Sequence, residues 1–311
     1  MAGIDARTLR LIASDIDGTI LSYRSAVSGT VSSRTVAAFH AAREAGVQIV
    51  LVTGRPVRWL KPVSDALGAI GPVICSNGAV VYDLAEDRLL REDPLEAEAL
   101  FEAKDLILDI DRQASFAAET LEHLHSEPEF LKDSLFFEED RRRAAGVTED
   151  TLRLGPLDET LERDALGAAR TPGGEVGVGH AADRVVKLLV KTTAMDADLF
   201  LEKVRERVGH LLSVTHSAPG VSLLELSAKG VNKASALQRV SAEFGVGAEG
   251  VVAFGDMPND IEMLQWAGTS WVVGSAHPMA QSAAHHVTAD CDDDGVAQVI
   301  EQLLEGARAL P

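Results

Sequence analysis

Leu9, Leu11, Ile12 and Ala13 form a near-continuous apolar run that breaks off into Ser14, Asp15, Ile16, Asp17, Gly18 and Thr19. Such a run reads as a strand buried on both faces, the mark of a parallel sheet. Its carboxyl end is where an open α/β sheet places a ligand. Two aspartates two residues apart at that edge repel one another unless a cation or a shared proton intervenes. Gly18 frees the backbone to turn, and Thr19 is expected to hydrogen-bond within that turn. An EF-hand loop does not fit, because its glycine stands sixth and its glutamate twelfth. Here the glycine is fourth, and Val27 and Ser28 occupy the region of the glutamate. On this segment alone a plain polar turn remains open.

The pattern recurs. Val47–Val52 runs into Thr53-Gly54-Arg55-Pro56, and Val73-Ile74-Cys75 into Ser76-Asn77-Gly78. Val251–Phe254 runs into Gly255-Asp256-Met257-Pro258-Asn259-Asp260. Helical spacing separates these runs: Ser32–Ala45, stopped by Gly46, then about Trp59–Leu67, Lys233–Phe244 and Ile261–Ala267, with Val296–Leu304 closing the chain. Strand–helix alternation of this kind predicts a doubly wound α/β fold with a parallel sheet.

Between Val80 and about Leu226 the character changes. Val80–Asp83 and Arg88–Leu90 read as a hairpin, and Val185–Val190 and Val221–Leu226 as strands flanking a helix over Asp196–Val208. Residues 1–81 and 227–311 are therefore expected to form a discontinuous core domain, with 82–226 as an inserted α/β domain. Arg141-Arg142-Arg143 reads as a solvated helical face.

The chain has 311 residues, 29 Lys and Arg against 48 Asp and Glu, and a net charge of −19. That balance argues against nucleic acid or an anionic membrane as partner. A phosphorylated substrate must then be drawn in by a local cation. No stretch approaches the length of an apolar membrane span, and no signal-peptide core precedes the first strand. Two cysteines, Cys75 and Cys291, suit a reducing cytoplasm better than a disulfide scaffold. Neither a P-loop nor a dinucleotide-binding glycine pattern is present.

The strand ends bring complementary chemistry to one edge. Asp15, Asp17 and Asp256 are hard oxygen donors of the kind Mg²⁺ prefers. Thr53 and the Gly54 N–H are neutral donors for a phosphoryl oxygen. Lys233, near a helix start, offsets carboxylate charge and holds phosphate as a point charge. Such an acidic pocket accepts a phosphate ester only if a metal joins it.

Taken together, Asp15-Ile16-Asp17-Gly18-Thr19, Thr53-Gly54-Arg55, Ser76-Asn77-Gly78-Ala79, Lys229-Gly230-Val231-Asn232-Lys233 and Gly255–Asp260 resemble the haloacid dehalogenase (HAD) superfamily, and within it the Cof-type phosphatases. The resemblance implies a Rossmann-like core, an inserted α/β cap that closes over it and selects the substrate, and a Mg²⁺-dependent phosphatase. Asp15 would be the covalent nucleophile and Asp17 the general acid and base. Mg²⁺ would be held by Asp15, Asp256, the Asp17 main-chain carbonyl and, directly or at one remove, Asp260. Thr53, Gly54, Asn77, Lys233 and Asn259 would bind the phosphoryl group.

Other roles stay open. Asn77-Gly78 is equally a hairpin signal, Asp260 a helix-start carboxylate, and Arg55 is expected to pair with a carboxylate more than with phosphate. Lys229 is expected at the surface. Arg184, Lys187 and Lys191 do not share one strand face, and with His180 they are expected to be surface charges. The partner implied is a small phosphorylated metabolite, a sugar phosphate first, with pyridoxal phosphate and flavin mononucleotide also within the resemblance. A phosphomutase and a non-enzymatic phospho-aspartate switch are the alternatives. Oligomeric state is not legible.

Overall fold

The structure, a computed structural model, describes residues 9–25, 30–132, 147–161 and 184–308. The chain opens with β1 (Leu11–Ser14), α1 (Ser33–Glu44), β2 (Gln48–Val52), α2 (Lys61–Leu67), β3 (Pro72–Cys75), β4 (Val80–Asp83) and β5 (Arg88–Glu92). It continues through α3 (Ala97–Ile110), β6 (Ser115–Glu119), β7 (Leu124–Ser126), β8 (Leu152–Leu154), β9 (Lys187–Lys191), α4 (Ala197–Val208), β10 (Leu212–Thr215) and β11 (Leu223–Ala228). It closes with α5 (Lys233–Glu243), β12 (Val251–Gly255), α6 (Ile261–Trp266), β13 (Thr269–Val272), α7 (Pro278–Ala283), β14 (His286–Val287) and α8 (Gly295–Arg308). Among the described residues no helix is long and apolar enough to cross a membrane.

Two compact units result. Unit 1 comprises Met1–Arg55, Leu60–Arg91 and Asn232–Pro311, and unit 2 comprises Pro56–Trp59 and Glu92–Val231. The boundaries differ from those expected at 81/82 and 226/227. The β4–β5 hairpin extends the sheet of unit 1, whereas β11 lies inside the sheet of unit 2. Which sheet an edge hairpin joins is a tertiary choice that local periodicity does not record.

Unit 1 is built on an eight-stranded sheet of order β14-β13-β12-β1-β2-β3-β4-β5. From β14 through β3 the pairings are parallel, and β4 runs antiparallel to β3. Chain order reverses on either side of β1, which creates the switch point beside which such sheets bind ligands. Leu11, Ile12, Ala13, Val50, Val52 and Val252 are buried in its core, as continuous apolar strands require. Helix starts follow local chemistry. The Ser32 hydroxyl accepts the Thr35 N–H at 3.0 Å to cap α1, and Asn232 and Ser235 form a reciprocal capping box on α5. Pro62 in its first turn suits α2 to start at Lys61, two residues after the start expected at about Trp59, which instead ends a 3₁₀ turn over Val57–Trp59.

Unit 2 carries a six-stranded sheet of order β10-β11-β9-β6-β7-β8, antiparallel except for β7 with β8. Leu100 and Ile107 of α3 and Phe200 and Val204 of α4 pack with Phe116, Leu188, Val190 and Leu226 in one apolar core. Lys187, expected at the surface, is 3% exposed because Glu225 lies 3.3 Å away on the neighbouring strand. Lys191 donates to the carbonyls of Phe130 and Lys132, and Arg184 is exposed. His180 and Arg141–Arg143 lie outside the described residues.

Candidate active site

The site grows from the carboxyl ends of four strands of unit 1. Asp15 directly follows β1, and its N–H continues the parallel ladder to the Phe254 carbonyl at 3.0 Å. The chain then turns sharply: the Ile16 carbonyl accepts from the N–H groups of Ile20 at 3.0 Å and Leu21 at 2.9 Å. Gly18 takes the left-handed conformation, φ +84°. A Cβ there would stand 2.1 Å from Asp256 Oδ2, so this glycine is required by both backbone and space.

The ends of β2 and β3 are tied together. The Asn77 N–H donates to the Thr53 carbonyl and the Ser76 N–H to the Arg55 carbonyl, each at 3.0 Å. Ser76 and Asn77 both sit at positive φ, +47° and +56°. The Thr53 hydroxyl accepts the Arg55 N–H at 3.0 Å and keeps its own proton to donate. Gly54, between them, is half-buried. Asn77 Oδ1 accepts from Asn259 Nδ2 at 3.0 Å, so the Asn77-Gly78 turn is a hairpin connection and part of this edge at once.

Lys233, the first residue of α5, is 1% exposed. Its ammonium donates to Asp15 Oδ1 at 2.5 Å and to Asp260 Oδ1 at 2.7 Å. Asp260 uses its other oxygen to accept the Asp256 and Met257 N–H groups, each at 3.0 Å. It is therefore an inward brace of the site rather than only a helix-start carboxylate. Asp256 follows β12 and accepts from two hydroxyls: Thr19 at 3.2 Å and Tyr23 at 2.7 Å. Thr19 thus reaches across the sheet instead of closing its own turn. Tyr23 was not singled out from the sequence, where nothing around it marks a site residue.

Carboxylate oxygens of Asp15, Asp256 and Asp260 lie within 4.8 Å of one another, and all three residues are buried. Burial pushes the Asp15 carboxyl up to about 7, with Lys233 opposing. Burial, then the charge of Asp15, raises Asp256 well above the carboxylate range. Burial works against the Lys233 ammonium, but Asp15 and Asp260 outweigh it and hold its pKa above the usual lysine value. Burial and the Asp256 charge raise the Tyr23 phenol, which is therefore a donor here. Three buried carboxyl groups thus converge around one ammonium, two of them inclined to keep a proton that a cation would displace, and this all-oxygen donor set fits a hard divalent cation.

Asp17 stands apart from that cluster. Arg55, 2% exposed, grips both of its oxygens through Nε at 2.6 Å and an Nη at 2.5 Å. The expected carboxylate partner of Arg55 is thus Asp17. The Asp17 side chain, held by Arg55, is not among the carboxylates that converge in the cation cluster. Lys229 is exposed, as expected, with its ammonium on the Gly209 carbonyl.

The fold and site together are a doubly wound sheet whose strand ends gather acidic side chains around one lysine. The sequence profile of the haloacid dehalogenase-like hydrolases matches residues 12–153 and 179–300. The chain belongs to that family. Among curated relatives, the 5-amino-6-(5-phospho-D-ribitylamino)uracil phosphatase YwtE of Bacillus subtilis (strain 168) is 28% identical over 97% of this chain and 100% of its own. The pyridoxal phosphate phosphatase YbhA of Escherichia coli (strain K12) is 28% identical over 94% of this chain and 98% of its own. Of solved structures, the HAD subclass IIB sugar phosphatase BT4131 superposes with a TM-score of 0.72 at 19% identity, covering 94% of this chain and 98% of that one. At that identity the likeness carries the fold.

Proposed function

We propose that this hydrolase is a Mg²⁺-dependent phosphatase of small phosphorylated metabolites, acting through a phosphoryl group carried on Asp15. The observation that carries the reading is the Lys233 ammonium bridging Asp15 and Asp260 beside Asp256, all of them buried. Such an arrangement takes up a divalent cation as its raised carboxyls give up their protons, and it then presents both a nucleophilic carboxylate and positive charge to a phosphate ester.

Lys233 holds one Asp15 oxygen, and the other attacks phosphorus. The Asp15 O–P bond forms as the bond from phosphorus to the leaving alcohol breaks. Protonated Asp17 gives its proton to that departing oxygen. As a carboxylate it then takes a proton from the water that attacks phosphorus, and the Asp15–phosphorus bond breaks to release inorganic phosphate. Arg55 occupies both Asp17 oxygens in this structure, so this proton traffic requires the pair to open. Thr53, the Gly54 N–H, Asn77, Lys233 and Asn259 supply donors to the phosphoryl oxygens, whose charge grows during transfer. Mg²⁺ held by Asp15, Asp256 and Asp260, with the Asp17 carbonyl, would add Lewis-acid charge to the same oxygens.

Unit 2 is assigned the choice of substrate. A sugar phosphate is placed first because the phosphoribityl compound in one relative's name shares with it a phosphorylated alcohol on a hydroxylated chain. The test is phosphate release from sugar phosphates, pyridoxal phosphate and flavin mononucleotide, with Mg²⁺ and with chelator. Metal-dependent turnover supports the reading, and its absence across a broad panel contradicts it.

A further inference from the structure

Tyr23 joins the protein surface to the centre of the acidic cluster. Its side chain belongs to a residue 37% exposed, yet its hydroxyl reaches Asp256, which is 3% exposed, at 2.7 Å. The Thr19 hydroxyl donates to the other Asp256 oxygen at 3.2 Å. Each oxygen of this carboxylate thus accepts one hydrogen bond and keeps lone-pair capacity for another partner. The turn beneath leaves no slack. A Cβ at Gly18 would stand 2.1 Å from Asp256 Oδ2 and 2.4 Å from Tyr23 Cε2. Backbone, ring and carboxylate meet at one point, and rotating Asp256 breaks a hydrogen bond on one side or the other.

We propose that Tyr23 is a positioning residue of the cation site: its hydroxyl, with that of Thr19, fixes the plane of Asp256 so that the carboxylate meets a divalent cation without reorienting. The proposal rests on Asp256 being a ligand. Mg²⁺ makes such preorganisation matter, since it demands near-octahedral geometry and gives up its waters reluctantly. Ligating carboxylates are themselves held by hydrogen bonds, and losing such a partner typically costs about 10- to 100-fold in metal affinity or activity. The Tyr23 hydroxyl is a partner of that kind, supplied from a loop more than two hundred residues away in sequence.

The test is titration calorimetry of MgCl₂ into the full chain, stripped with chelator and dialysed, for the wild type, Tyr23→Phe and Asp256→Asn. Tyr23→Phe keeps the ring and deletes only the hydroxyl. The expected result is a Mg²⁺ dissociation constant raised about tenfold or more in Tyr23→Phe, with binding lost in Asp256→Asn. A pair at the other oxygen gives a second arm: Thr19→Val should weaken Mg²⁺ binding, and Thr19→Ser, which keeps the hydroxyl, should restore it. A purely structural role for these hydroxyls predicts lower melting temperatures in chelator with the dissociation constants unmoved, and that result overturns the proposal. An unchanged or tighter constant in Tyr23→Phe, with Asp256→Asn inactive in binding, overturns it while leaving the metal reading intact. Wild-type affinity in Asp256→Asn overturns the metal reading of Asp256 and the Tyr23 proposal together.

Discussion

The ammonium of Lys233 stands 2.5 Å from Oδ1 of Asp15, both side chains being buried. The contact joins residues 218 positions apart in the chain, one at the end of the first strand and one at the start of a helix that follows the whole of unit 2. Lys233 also holds Asp260 at 2.7 Å, and through it the Asp256 main chain. One cation therefore holds two carboxylates directly and, through Asp260, the backbone that carries the third.

Lys233→Met removes that cation while keeping much of the volume. Breaking a buried ion pair on one side costs about 3–5 kcal/mol, because charge is left uncompensated. Urea unfolding in chelator should show a loss of this order. Added Mg²⁺ should recover part of it, and phosphate release should fall by about 100-fold or more. Unfolding curves equal to wild type would show that the pair contributes nothing to the fold.

The raised Asp15 carboxyl gives the cation-free protein a definite pH dependence. Between the ordinary value of 3.8 and about 7 the folded chain retains a proton that the unfolded chain has released. This group's contribution to stability is therefore fully present below the unfolded value and is lost as pH rises through the folded one. Asp256 acts in the same direction. A divalent cation binds the ionised forms, so its stabilising effect grows with pH over that window. Thermal melts from about pH 5 to about pH 8, with chelator and with Mg²⁺, should diverge as pH rises. A constant gap contradicts the assignment.

Gly18→Ala tests the crowding at the turn. The left-handed conformation alone costs a non-glycine residue roughly 1–2 kcal/mol, and the new Cβ would meet Asp256 Oδ2 at 2.1 Å. Lower thermal stability should accompany weaker Mg²⁺ binding, measured on the same preparation. Loss of stability with Mg²⁺ affinity intact would separate the turn from the site.

Arg55→Lys replaces a two-pronged grip on Asp17 with a single point charge. Misplacing a reacting group by about 1 Å can cost about 100-fold, so kcat should fall by up to that factor while KM changes less. Steady-state kinetics check this, and a change confined to KM would place Arg55 on the substrate instead.

The strand ends were legible because each apolar run and the polar cluster that stops it are local. Asp15, Thr53, Asn77 and Asp256 all appear at the edge where the alternation of strands and helices puts them. Contacts across the sheet were not legible in the same way. Tyr23 and Thr19 meet Asp256 across 233 and 237 positions, and no spacing rule links them. The same holds for Lys187, whose burial depends on Glu225 arriving on the next strand. The hairpin is legible as strands over Val80–Asp83 and Arg88–Leu90, the second running on to Glu92, but its sheet is decided by pairing with β3, a choice made only in three dimensions.

The most direct measurement is phosphate release from the preferred ester by wild type and Asp15→Asn, each with Mg²⁺ and with chelator. The account predicts turnover in the wild type with Mg²⁺ and none above background in Asp15→Asn or in chelator. Turnover that persists in Asp15→Asn at the wild-type rate would contradict Asp15 as the nucleophile and the mechanism built on it.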